Sequence, residues 1–202
     1  MTLRIALQKN GRMTTPSLDW LEACGLRFER NTQSLITKCD NADVELLLVR
    51  NQDIPQYVYR GAADFGIVGE NVLLETAIPL CTIESLDFGK CQLVLAIPEM
   101  TPIKNLSDLE GLRVATSYPN TLRQFLESKK LNCSIIPIGG SVEVAPKLNL
   151  AEAVCDLSQS GQTLRENGLR PLCVLLESQA VLVGRKQSSF LNSIFKTNSC
   201  EI

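Results

Sequence analysis

The chain has 202 residues, 45% hydrophobic and 21% charged, an ordinary balance for a globular protein able to bury one large core or two smaller ones. Twenty basic residues stand against 22 acidic ones, which excludes the electrostatic footprint of a nucleic-acid or anionic-membrane binder. Histidine is absent, which excludes an imidazole base, a Cys–His dyad, a Ser-His-Asp triad and imidazole metal sites.

The apolar run Leu3–Leu7 predicts a buried strand. Lys9, Gly11 and Arg12 follow it in a glycine-containing turn. Ligands of open α/β sheets gather at the carboxyl ends of strands, so these cations are candidates to meet a polyphosphate, Arg12 as a fork and Lys9 as a point charge. The alternative is a solvated basic turn. Thr15 as N-cap, Pro16 at the first helical position and Gly25 as stop predict a helix over Ser17–Cys24. Val44–Val49 predicts a second strand with Arg50 at its end, there for a ligand or for a surface pair with Asp53. Asp53 caps a helix over Pro55–Arg60 that Gly61 ends. Asp64–Val68 predicts a strand and Glu70–Thr76 a helix. Asp64 reads as a turn residue, whereas Val68, Gly69 and Glu70 form a candidate edge where a flat ring could lie against glycine backbone.

Cys91–Ile97 predicts another strand, after which Pro98 and Pro102 break the pattern. Strand Arg113–Thr116, helix Pro119–Lys130 and strand Ser134–Ile138 follow. Gly139-Gly140-Ser141 opens what reads as a helix through Lys147, with Glu143 in its first turn, where a carboxylate suits the helix dipole. Ala153-Val154-Cys155 leads into Asp156 and the loop Ser158-Gln159-Ser160-Gly161-Gln162-Thr163, then a short helix over Leu164–Gly168. Such a loop gathers backbone N–H groups, hydroxyls and the positive helix end at one spot, the physics of a phosphate cradle. Gly161 allows close approach of an anion, and Ser160 and Thr163 add donors. A capped turn without ligand is the alternative.

Runs Leu172–Leu176 and Ala180–Val183 predict strands that carry the chain back to its first lobe, and Gln187–Ile202 predicts a terminal helix or a frayed tail. The alternation implies an α/β fold with largely parallel sheets and two lobes, residues 1–90 with 175–202 and residues 91–174. Eight cysteines form no C-x-x-C pair and mostly sit in apolar runs. With no signal peptide at Met1–Ile5 and no apolar run near the roughly 20 residues of a membrane span, the expectation is a reduced, cytoplasmic protein.

The stretch Glu152–Leu169 resembles the phosphoribosyl-pyrophosphate loop of the ATP phosphoribosyltransferase family. Leu7–Arg12, Leu48–Arg50, Asp64–Gly69, Gly140–Glu143 with Ala145-Pro146, and Glu177-Ser178 with Ala180–Leu182 resemble further blocks of that family in the same order. Salvage phosphoribosyltransferases of the other major fold carry two adjacent acids before the loop, where this chain has Cys155-Asp156. The resemblance implies a two-lobed, periplasmic-binding-protein-like (type II) fold with its active site in the interlobe cleft. It implies transfer of a phosphoribosyl group to N1 of ATP, the first step of histidine biosynthesis.

Carried over to this sequence, Lys9, Arg12 and Glu143 are the expected catalytic residues. Glu143 would face the ribose or the adenine amino group. Arg50, Val68, Gly69 and Glu70 would bind ATP. Asp156, Ser158, Ser160, Gly161, Gln162 and Thr163 would bind phosphoribosyl pyrophosphate. Magnesium would arrive with the diphosphate, within reach of Asp156 and held by no dedicated protein site. The sequence ends at Ile202, short of the regulatory domain of longer family members. The resemblance therefore implies a homodimer within a hetero-oligomer containing a histidyl-tRNA-synthetase-like regulatory subunit, with no nucleic acid or membrane partner. The rival reading is a non-enzymatic small-molecule-binding protein of the same fold, against which the missing signal peptide and the cysteine content stand.

Overall fold

The computed structural model describes residues 2–30, 34–186 and 194. In chain order the elements are β1 (Leu3–Gln8), α1 (Thr14–Ala23), β2 (Ile36–Lys38), β3 (Val44–Val49), α2 (Ile54–Tyr59), β4 (Phe65–Gly69), α3 (Glu70–Thr76) and β5 (Cys81–Ser85). Then come β6 (Cys91–Pro98), β7 (Arg113–Thr116), α4 (Pro119–Lys129), β8 (Ser134–Pro137), β9 (Ala153–Ser158), α5 (Gln162–Glu166), β10 (Leu169–Ser178) and β11 (Ala180–Gly184). They form two compact units, Met1–Gly89 with Gln179–Ile202, and Lys90–Ser178.

Unit 1 holds a sheet in the order β2-β3-β1-β4-β11-β5, with β1 parallel to both neighbours. Both faces are covered, and the period of two along each strand divides the core. Ile5, Leu7, Leu46, Leu48, Phe65, Ile67 and Leu182 face α1 with its Leu18 and Leu21. Ala6, Leu47, Val68, Val181 and Val183 face α2 and α3 through Ile54, Val58 and Val72. Near-continuous apolar strands follow from burial on both sides. Ile194 is 2% exposed and belongs to the first of these cores, whereas the rest of the expected tail helix lies outside the described residues.

Unit 2 holds a sheet in the order β10-β6-β9-β7-β8. Leu93, Leu95, Ile97, Val114 and Cys155 pack against Leu122 and Leu126 of α4 on one face. Val94, Ala96, Ala115 and Val154 pack on the other against Val142, Ala145 and Leu164.

The sheets are mixed rather than largely parallel. β11 runs antiparallel between β4 and β5, and β6 runs antiparallel to both β9 and β10. The departures lie at the strands through which the chain leaves and re-enters unit 1, together with the short edge strand β2. The expected return at residue 175 is also displaced. Leu172–Leu176 lies inside β10, which pairs with β6 from Leu169↔Pro98 to Ser178↔Cys91, so β11 alone re-enters unit 1. Thr15 is not a cap: α1 starts at Thr14, and its N-cap is Met13, whose own side chain caps nothing. Gly25 does follow the helix end, with φ +93. The seven described cysteines are thiols, and Cys200 lies outside the described residues. Among the described residues no helix is long and apolar enough to cross a membrane.

Candidate functional site

In unit 1 the chain steps from β1 through α1 to β3, then crosses back through α2 to β4 on the other side of β1. Such a reversal opens a crevice at the carboxyl ends of the two central strands. The ladder itself opens there, because β1 pairs with β4 only at Ile5↔Phe65 and Ala6↔Gly66. Pairing with β3 continues to Gln8↔Val49, and Lys9 N–H donates to the Val49 carbonyl at 2.8 Å. Lys9 therefore lies level with Arg50, with Arg12 exposed at the far end of the same turn.

Arg50 is exposed, and among the described residues it makes no ion pair with Asp53, whose backbone amide instead reaches the Arg50 carbonyl at 2.9 Å. Gly69 ends β4 in extended backbone. Val68 is fully buried in the core, so only its backbone can face a ligand. Glu70 holds the return strand: its N–H donates to the Gln179 carbonyl at 3.0 Å, and its Oε2 accepts the Gln179 N–H at 3.1 Å. Asp64 sits at the opposite, amino edge, where it accepts the Arg4 N–H at 2.9 Å and lies 3.6 Å from Arg185.

Unit 2 repeats the walk. The chain goes from β7 through α4 to β8 and returns to β9 on the other side of β7. The β7–β9 ladder stops at Thr116↔Cys155, which leaves Ser117 level with Asp156. Asp156 is half-buried, and its Oδ1 accepts the Leu157 N–H at 2.8 Å. Burial raises its pKa, the Leu157 amide opposes that rise, and the Glu143 carboxylate adds to it. The helix expected through Lys147 is instead two one-turn 3₁₀ helices, Val142–Val144 and Pro146–Leu148, split where Pro146 stands. Ser141 precedes them at φ +50.

The loop after β9 satisfies itself. Ser158 Oγ accepts the Gly161 N–H at 3.0 Å, and Ser160 Oγ accepts the Gln162 N–H at 3.3 Å. Each hydroxyl keeps its own proton to donate. Gln162 turns away, its Nε2 donating to Glu166 Oε1 at 2.7 Å, while Thr163 is exposed. α5 spans only Gln162–Glu166, so a helix dipole adds less to this cradle than the sequence suggested. Gly161 has φ +71, which favours glycine.

The family model described as ATP phosphoribosyltransferase (HisG) matches residues 50–199. The chain belongs to the ATP phosphoribosyltransferase family. An ATP phosphoribosyltransferase of Maricaulis maris is 45% identical over 190 residues, covering 91% of this chain and 65% of the relative, so the chain spans about two-thirds of that relative's length. Among solved structures it is similar to the ATP phosphoribosyl transferase (HisG:HisZ) complex of Thermotoga maritima, with TM-score 0.78, 32% identity, and coverage of 91% of this chain and 87% of that one. The aliphatic sulphonate binding protein SsuA of Escherichia coli shares the fold alone, at TM-score 0.58 and 17% identity, covering 91% of this chain and 61% of that one. The fold is therefore α/β with two sheets, of the family and periplasmic-binding-protein-like kind.

Two features of this ATP phosphoribosyltransferase-family chain were not singled out from sequence. Thr116-Ser117-Tyr118 forms a turn at the switch point of unit 2: Tyr118 N–H donates to Thr116 Oγ1 at 2.9 Å, and Ser117 Oγ donates to the Ile138 carbonyl at 2.8 Å. Gln8 folds over the Lys9–Arg12 turn, its Oε1 accepting the Met13 N–H at 3.2 Å. Both sit just after, or at the end of, a predicted strand, and Gln8 also lies within the Leu7–Arg12 block.

Proposed function

We propose that the chain transfers the phosphoribosyl group of phosphoribosyl pyrophosphate to N1 of ATP, giving N1-(5-phosphoribosyl)-ATP and diphosphate, the first step of histidine biosynthesis. The observation that carries this reading is the Asp156–Thr163 segment, which in a chain of this family combines an acid and three hydroxyls beside the switch point of β7 and β9. The Ser158, Ser160 and Thr163 hydroxyls receive the 5′-phosphate, while Gly161, whose N–H is held by Ser158 Oγ, gives the loop its turn. Asp156 and Glu143 face the ribose and offset the positive charge that develops at its C1 as diphosphate departs.

The cationic edge of unit 1 receives ATP, with Lys9, Arg12 and Arg50 reducing repulsion between two polyanions. Gly69 and the Val68 backbone offer a surface to the adenine, while Glu70 serves by holding α3 to β11. A neutral ring nitrogen needs no base to attack, which suits a chain without histidine. The rate then comes from alignment and from stabilisation of the leaving diphosphate.

Magnesium belongs with that diphosphate. Asp156, a half-buried carboxylate near the end of β9, would meet the ion, since magnesium takes one or two carboxylates plus substrate oxygens. The ion supplies charge neutralisation to the leaving group. We further propose a homodimer that joins a HisZ-type regulatory subunit, supported by the Thermotoga maritima relative, a HisG:HisZ complex. A cytoplasmic location is supported by the seven thiols, which suit a reducing compartment.

The test mixes the protein with ATP, phosphoribosyl pyrophosphate and magnesium, alone and with a HisZ-type partner, and follows the near-ultraviolet change of N1-substituted adenine. Product that appears only with both substrates supports the reading. Binding of a small molecule without turnover in either mixture would replace it with that of a binding protein.

A further inference from the structure

We infer that Gln8 is the positioning residue of the Lys9–Arg12 turn and that its amide N–H completes the anion site there. The inference rests on the reading of this edge as an anion site. Three contacts fix the turn at both ends. Gln8 Oε1 accepts the Met13 N–H at 3.2 Å, the Gln8 carbonyl accepts Thr14 Oγ1 at 3.0 Å, and the Gly11 carbonyl accepts the Thr14 N–H at 3.1 Å. Gln8 thereby supplies from β1 the cap that Met13 itself lacks. Its side chain lies in the space a Cβ on Gly11 would need, with Cδ at 2.7 Å, Oε1 at 2.9 Å and Nε2 nearer still. Gly11 also has φ +149, which favours glycine there, and a side chain at that position would push the Gln8 amide aside.

With Oε1 committed to Met13, Nε2 is left above an exposed glycine, and among the described residues it has no acceptor. A primary amide in that position donates to an anionic oxygen without adding charge. Because Lys9 and Arg12 belong to the turn that Gln8 closes, the side chain acts twice, on the geometry of that turn and as a neutral donor over Gly11.

The two roles separate by substitution. Gln8→Glu keeps an oxygen for the Met13 N–H but loses the donor and adds a negative charge, so it tests the turn. Gln8→Met keeps the volume and loses oxygen and donor with no change of charge, so it tests the donor. Met13 amide hydrogen exchange and thermal stability report the turn. Calorimetric titrations with ATP, phosphoribosyl pyrophosphate and inorganic triphosphate report the site. We expect Gln8→Glu to keep Met13 protection and Tm, and Gln8→Met to lose Met13 protection and bind triphosphate about tenfold or more weakly. Lost Met13 protection in Gln8→Glu, or wild-type protection or triphosphate affinity in Gln8→Met, overturns the proposal. If the wild type binds triphosphate but neither substrate, the transferase reading fails and Gln8 is judged on triphosphate. A wild type that binds no anion refutes both.

Discussion

The two units make the same topological move and put opposite chemistry at the end of it. In unit 1 a central strand, β1, has its later parallel partners on either side, and the open carboxyl edge carries Lys9, Arg12 and Arg50. In unit 2, β7 stands in the same relation to β8 and β9, and the edge carries Asp156, Glu143 and the hydroxyls of Ser158, Ser160 and Thr163, with one cation, Arg165, against Gly161. The sheets are alike in connectivity and unlike in charge. Connectivity therefore fixes where a ligand can be met, whereas the loops fix what kind of ligand it is.

The comparison breaks most sharply at Gly161. Gly161→Val forces a β-branched residue to φ +71, a strain the loop backbone relieves by moving, and it also displaces the flexible Arg165 guanidinium, 2.9 Å from the new Cβ. Phosphoribosyl-pyrophosphate affinity is expected to fall by about a hundredfold or more, with ATP affinity kept, as measured by separate titrations of each substrate. Equal losses for both ligands would erase the division of labour between the units.

Neutralising the opposite edge comes next. Arg12→Gln should weaken binding of the anionic substrates by about ten- to a hundredfold, and Arg12→Lys by less, because the fork carries geometry as well as charge. Normal affinity in Arg12→Gln would return this turn to solvent.

A smaller effect tests strain at the unit 2 edge. Burial and Glu143 raise the Asp156 pKa, so ionisation at neutral pH works against the folded state. Asp156→Asn keeps an oxygen for the Leu157 N–H and should raise Tm modestly at pH 7 while slowing turnover, the trade expected of a functional carboxylate. The gain should shrink as pH falls through the carboxylate range, where wild-type Asp156 is itself protonated. A Tm decrease at pH 7 would reassign this residue to the scaffold.

The smallest effect lies at the amino edge of unit 2, away from the site. Glu152 accepts the Arg113 backbone N–H at 2.8 Å and pairs with its guanidinium, which takes the carboxyl pKa down to about 2. A depressed pKa gives stability that is present above the ordinary carboxylate value and is lost as pH falls through the folded one. Glu152→Gln should therefore cost a little Tm at pH 7, with the cost shrinking as pH falls through about 2 and turnover untouched. The pair is partly exposed, which keeps the effect small.

Much of this was legible in the sequence. Helices bounded by Gly25 and Gly61, the apolar strands Leu3–Leu7 and Val44–Val49, and the loop after Cys155 were all written in local chemistry. Strand direction was not. β6, β10 and β11 are as apolar as their parallel neighbours, and nothing in Leu172–Leu176 says which sheet it joins, because partner choice is decided by contacts far along the chain. The residues of the site were easier to name than their duties. Gln162 lies in a matching block and Glu70 directly after one, yet Glu70 holds Gln179 and Gln162 holds Glu166. Gln8 lies in the Leu7–Arg12 block without a role legible there, because a glutamine at a strand end has no spacing signature; its meaning lies in the space above Gly11.

The chain's single tryptophan, Trp20, lies on α1 and packs against the unit 1 core. Unit 2 has none, so tryptophan emission watches one half of the molecule and is blind to the other. Far-ultraviolet dichroism sees both halves. Denaturation followed by the two probes together would show whether the units melt as one body or in turn, and whether each substrate protects only the unit whose edge receives it.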